Sequence, residues 1–124
     1  VKGSSAILVH RRTLLNIGGH DPAFLGHGAE DFELLHRLSQ LHPRGPRPPN
    51  YHMDFGSRSD RADGFRAYFA RYGQPALEAG LALVHLWHPK RKHDPRYYQR
   101  RQQNFALLSE ALRESRRHNA SSTS

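Results

Sequence analysis

The sequence predicts an α/β fold built from short strands, several helices and a long C-terminal helix, and three observations point there. Two short apolar runs, Ser5–His10 and Leu81–Val84, read as buried strands. Between and after them, apolar residues recur at three- and four-residue steps, as on a helix buried along one side. The third observation is size: 124 residues with 36% hydrophobic content form a modest core, and Ile7 to Val9 is expected to pack on something outside it. Starting at Val1, with its one Met at position 53, the chain is expected to be an excerpt from a longer protein. The expected organisation is a half-domain over residues 1–117 and a disordered tail over 118–124.

In chain order, the strand Ser5–His10 leads into a short helix, Arg11 to Ile17, ended by Gly18. A glycine-rich turn follows, Gly18-Gly19-His20-Asp21-Pro22-Ala23-Phe24-Leu25-Gly26-His27-Gly28-Ala29-Glu30-Asp31. Glycine allows positive φ and close backbone approach, so this turn should fold tightly against a ligand or another backbone. From Glu30 the residues Phe32, Leu34, Leu35, Leu38 and Leu41 mark an amphipathic helix, with Glu33, His36, Arg37 and Gln40 on its polar face. Glu30 and Asp31 fall in its first turn, where the helix dipole favours acids without any further purpose.

The segment His42–Asp63 holds Pro43, Gly45, Pro46, Pro48 and Pro49, which rules out a single helix or a central strand. It reads as a surface insertion in which Tyr51, Met53 and Phe55 touch a bound ligand, or else as a solvated linker. Gly64–Gly73 reads as a helix with an aromatic stripe at Phe65, Tyr68, Phe69 and Tyr72, a pattern commoner in cores than in ligand-binding platforms. Gln74–Gly80 continues as a short helical turn. After the strand Leu81–Val84, Pro95 starts the long helix, with Tyr98, Phe105, Leu108 and Leu112 on one face.

Composition narrows the chemistry. No cysteine is present, which removes disulfides, thiolate catalysis and cysteine zinc sites and fits a reducing, cytoplasmic setting. No apolar run approaches the ~20 residues of a membrane span. The net charge of +8 gathers between Lys90 and Arg117 and calls for an anionic partner: a nucleotide diphosphate, an acidic glycan, phospholipid headgroups at a membrane surface, or nucleic acid. His85 and His88, in His85-Leu86-Trp87-His88-Pro89, can converge on one divalent ion if the strand ends between them, and Pro89 favours such an ending. In a chain with ten histidines, pairs at this spacing also arise by chance.

The sentence Gly-Gly-x-Asp-x-x-Phe-x-Gly-x-Gly-x-Glu-Asp, carried by Gly18, Gly19, Asp21, Phe24, Gly26, Gly28, Glu30 and Asp31, resembles the acceptor-side motif of GT-A glycosyltransferases, nearest to the galactosyltransferase C-terminal domain family. His85, His88, the basic run Lys90-Arg91-Lys92-His93-Asp94 and Pro95 stand in the order of that family's metal-binding segment, so the likeness covers roughly residues 3–112. His20 replaces an aromatic, His27 a tryptophan and Ala29 a glycine.

The resemblance implies the C-terminal, acceptor-side part of a GT-A fold that moves a hexose or N-acetylhexosamine from a nucleotide sugar, UDP-linked, to a glycan acceptor, as in surface polysaccharide synthesis. It implies Asp31 as the general base of an inverting transfer and Glu30, Gly28 and His27 as acceptor-binding. It also implies His88 and His85 as ligands of Mn²⁺, with Lys90, Arg91 and Lys92 closing over the donor diphosphate. Such relatives carry Asp-x-Asp or Asp-x-His on a nucleotide-binding N-terminal half; nothing upstream of Gly18 matches it, so that half is expected as a partner. The rival reading is a non-catalytic basic module on nucleic acid or acidic polymer, which explains the charge but not the glycines.

Overall fold

The computed structural model describes residues 6–89 and 95–121. Among these residues five helices follow one another: α1 (Arg11–Asn16), α2 (Glu30–Leu41), α3 (Gly64–Glu78), α4 (Pro95–Tyr98) and α5 (Arg101–Ser121). The central one is α2, which packs against both α3 and α5.

The expected strands are absent from the described residues. Residues 6–10 and 81–89 form neither strand nor helix. A four-residue apolar run reveals nothing about whether a neighbouring backbone is available to accept its hydrogen bonds, and that pairing is what makes a strand. Ile7 and Val9 are half-buried and Leu8 is exposed, so strand-like alternation survives without a ladder. Leu83, Val84, Leu86 and Trp87 all stand in solvent, Trp87 being 87% exposed.

The core is aromatic. Phe32 of α2 meets Phe65 and Phe69 of α3 at ring separations of 5.0 and 6.2 Å, and Phe105 of α5 at 6.4 Å. Leu108 and Leu112 of α5 complete it at 0% and 1% exposure. These spacings follow the predicted helical stripes, since residues three and four apart share a face.

The Pro-rich segment runs mostly along the surface but sends one residue, Tyr51, into this core. Tyr51 is buried, edge-on to Tyr68 and Phe69, so it cannot reach an acceptor. A proline-dense segment lacks donors for regular structure, and its carbonyls are met instead by side chains. Arg71 donates to the carbonyls of Arg44 and Pro46, the Tyr72 hydroxyl donates to that of His42, and Arg47 donates to the Ser115 hydroxyl on α5.

Two helix boundaries also differ from expectation. A glycine ends a helix only when it turns left-handed; Gly73 does not, whereas Gly80 has φ +76°. Helix α3 therefore runs through Gly73 and through Pro75, forgoing one ladder hydrogen bond. The long C-terminal helix is broken at Gln99–Arg100 into α4 and α5, and α5 extends to Ser121, into the stretch expected as tail.

Candidate active site

The site is the turn between α1 and α2. Gly18 and Gly19 both take left-handed conformations, φ +80° and +70°, and close α1 through hydrogen bonds to Leu15 and Leu14 carbonyls. The Asp21 carboxylate then accepts from the Ala23 amide at 2.9 Å, making a local turn. Buried Asn104 of α5 donates its amide to the Leu25 carbonyl at 2.9 Å. At Gly28, φ is +111° and a Cβ would come within 3.0 Å of the Arg101 side chain, so the backbone needs glycine there. Ala29, at φ 72°, starts α2 in a conformation that a side chain disfavours.

The expected acceptor residues come together. His27 stacks on Tyr97 at 4.8 Å, with ring planes 11° apart, and meets Tyr98 edge-on at 5.5 Å. Glu30 accepts the Gly28 amide at 2.6 Å through Oε2, while its Oε1 lies 3.8 Å from His27 Nδ1. Asp31 is partly open to solvent, and His20 Nε2 donates to its Oδ1 at 3.1 Å. Its Oδ2 has no protein partner among the described residues.

Asp31 stands on the ridge between two clefts. One, of about 180 Å³, is lined by His27, Glu30, Asp31, Arg66, Arg101 and Phe105. The other, of about 270 Å³, is lined mainly by the apolar side chains of Ile7, Val9, Leu14 and Leu34, together with His20 and Asp31.

The supposedly polar face of α2 is the main surprise. Glu33, His36 and Ser39 are buried. Glu33 takes two hydrogen bonds from Arg37, at 2.6 and 2.7 Å, and the same guanidinium donates to the Ile17 and Gly19 carbonyls at 2.8 and 2.6 Å. That bonding to Glu33 raises the arginine further above its ordinary value. Burial, reinforced by Arg47 and Arg37, pushes His36 down to about 4, so the ring is neutral, and its Nδ1 shares a 3.0 Å hydrogen bond with the Tyr51 hydroxyl. Burial pushes that hydroxyl up to about 12.

His85 and His88 lie on the exposed segment 81–89 with ring centres 5.2 Å apart, close enough for both to reach one ion. Among the described residues no group of three His, Cys, Asp or Glu side chains could hold a metal. Lys90, Arg91 and Lys92 lie outside the described residues. No helix among the described residues is long and apolar enough to cross a membrane. Sequence reasoning missed the His20–Asp31 pair, the Glu33–Arg37 clamp and Asn104; only the i, i+4 spacing of Glu33 and Arg37 gave a signal.

Residues 1–114 match the family model described as glycosyltransferase like family 2. The chain belongs to that family. No curated protein and no solved structure matches it. Membership makes this a glycosyltransferase domain with a GT-A-like fold, and the family's chemistry takes a nucleotide-sugar donor and an acceptor.

Proposed function

We propose that the chain forms the acceptor-side part of an inverting glycosyltransferase of the galactosyltransferase type, with Asp31 as the general base. The observation that carries the reading is Asp31 itself. It opens α2 beside a polar cleft, with one carboxylate oxygen held by His20 and the other without a protein partner. An acceptor hydroxyl in that cleft would pass its proton to Oδ2 as its oxygen attacks the anomeric carbon. The sugar–phosphate bond breaks on the opposite face, its electrons leave with the nucleoside diphosphate, and the configuration inverts.

Glu30 and the His27 ring, fixed by Tyr97, would border the acceptor. The donor in this reading is a UDP-linked hexose or N-acetylhexosamine and the acceptor a glycan, with surface polysaccharide as the product class. His88 and His85 would supply two imidazole nitrogens to Mn²⁺, other ligands coming from outside the described residues. When bound, the ion neutralises charge on the departing diphosphate.

Asp31→Asn in the active protein carrying this chain tests the base. It should lower kcat about 10²-fold or more, with thermal stability and donor binding unchanged. Near-normal kcat would remove Asp31 from the mechanism. Glu30→Gln should act chiefly on acceptor KM.

A further inference from the structure

We propose that His20 is a positioning residue for Asp31, orienting the carboxylate so that Oδ2 faces the incoming acceptor hydroxyl. The inference rests on Asp31 being the base.

Three observations carry it. The first is the contact: His20 Nε2 and Asp31 Oδ1 are 3.1 Å apart. An ionised carboxylate only accepts hydrogen bonds, so the imidazole donates through Nε2. Holding one oxygen stops the carboxylate rotating about its last bond and fixes the direction in which the other oxygen presents its lone pairs.

The second is the support under His20. The carbonyls of Ile17 and Gly19, just before it, accept from Arg37, and Arg37 is locked in turn by two hydrogen bonds to Glu33. Arg37 and Glu33 sit on α2, the helix that begins at Glu30 and Asp31. His20 and the carboxylate it holds are thus referenced to one rigid element, the condition for a preorganised site. The neighbouring Asp21 does not compete, because its carboxylate closes its own turn onto the Ala23 amide.

The third is exposure. The His20 and Asp31 side chains are 53% and 39% exposed. Ion pairs at such exposure add little to stability, so folding alone gives this pair little reason to exist. Of the other groups lining the clefts beside Asp31, Glu30 accepts the Gly28 amide, Arg66 donates to the Asp54 carboxylate and Arg101 lies over the Phe105 ring. Orientation of the base falls to His20.

A double-mutant cycle in the active protein tests the proposal. His20→Phe keeps a ring and removes the donor; it should lower kcat about tenfold, leaving donor KM and the melting temperature unchanged. His20→Gln places an amide N–H near the original Nε2 and should restore most of the loss. In an Asp31→Asn background, His20→Phe should cost nothing further, since its effect runs through the carboxylate. Should the Phe variant fail to fold, His20→Ala takes its place in the cycle.

If Asp31→Asn is impaired while His20→Phe matches the wild type, or if the two losses multiply independently, the positioning role is overturned and the base reading stands. If Asp31→Asn itself is active, both fall.

Discussion

Arg37 Nη2 lies 2.6 Å from the Gly19 carbonyl oxygen and so ties the residue before His20 to the helix that carries Asp31. The same guanidinium neutralises Glu33, whose side chain is 8% exposed. Arg37→Met should therefore leave a buried carboxylate without its cation and two turn carbonyls without donors. The expected cost is about 2–4 kcal/mol in urea unfolding. Arg37→Lys should recover only part of it, since one ammonium cannot reproduce the fork on Glu33 and both carbonyls. A cost near zero would mean that water replaces the clamp.

The start of α3 offers a sharper steric test. Gly64 has φ +80°, and a Cβ there would lie 2.8 Å from both the Met53 carbonyl oxygen and Phe55 Cδ2. Backbone cannot yield as a flexible side chain can, and the Gly64 and Phe65 amides are already bonded to the Pro49 and Met53 carbonyls. Gly64→Ala should lose more than about 2 kcal/mol of stability by thermal or urea unfolding. Gly73→Ala is the control; its φ is not positive and a Cβ meets nothing within 4 Å, so stability should hold or rise slightly.

Stability should also depend on pH through His36. Its folded value, about 4, lies below the ordinary 6.5, so the unfolded chain binds the extra proton between them. The contribution is complete above about pH 6.5 and is lost as pH falls toward 4. Going from pH 7 to pH 5 should remove about 2 kcal/mol through this group. The measurement is urea unfolding at both pH values in wild type and in His36→Gln, where the other histidines cancel. An identical pH slope in both proteins would show that His36 is not the group responsible.

The metal reading can be tested against another histidine in the same chain. In the active protein, His88→Ala should raise the Mn²⁺ concentration needed for turnover far more than His42→Ala. His42 makes a suitable control because the backbone carbonyl, not the ring, accepts the Tyr72 hydrogen bond. Equal behaviour of the two variants, or full activity in the presence of a chelator, would exclude the imidazole pair as ligands.

The sequence made some of this visible and hid the rest for reasons of range. Helix α2 and the placement of Glu30 and Asp31 in its first turn could be read from periodicity, because spacing along one helix is local information. So could the aromatic stripe of α3 and the line Phe105, Leu108, Leu112 on α5. The contacts that build the site are not local. Asn104 meets Leu25 across 79 residues and Arg37 meets Ile17 across 20, and a buried Glu33 looks like any helix-surface acid until its partner is placed. The apolar runs at 6–9 and 81–84 misled for a related reason. Hydrophobicity marks a wish for burial, whereas a strand exists only where a neighbouring backbone answers it.

The chain's one tryptophan is Trp87, standing in solvent immediately before His88. Its indole is outside the aromatic core, so melting that core would change its surroundings little, and intrinsic tryptophan fluorescence would follow the unfolding experiments poorly. Circular dichroism or tyrosine signals from Tyr51 and Tyr68, both buried, are the proper readouts there. The same isolation makes Trp87 a selective reporter of its own segment. Anything that covers residues 81–89 would shift its emission, and a paramagnetic ion held at His88 would quench it, giving an optical titration that needs no label.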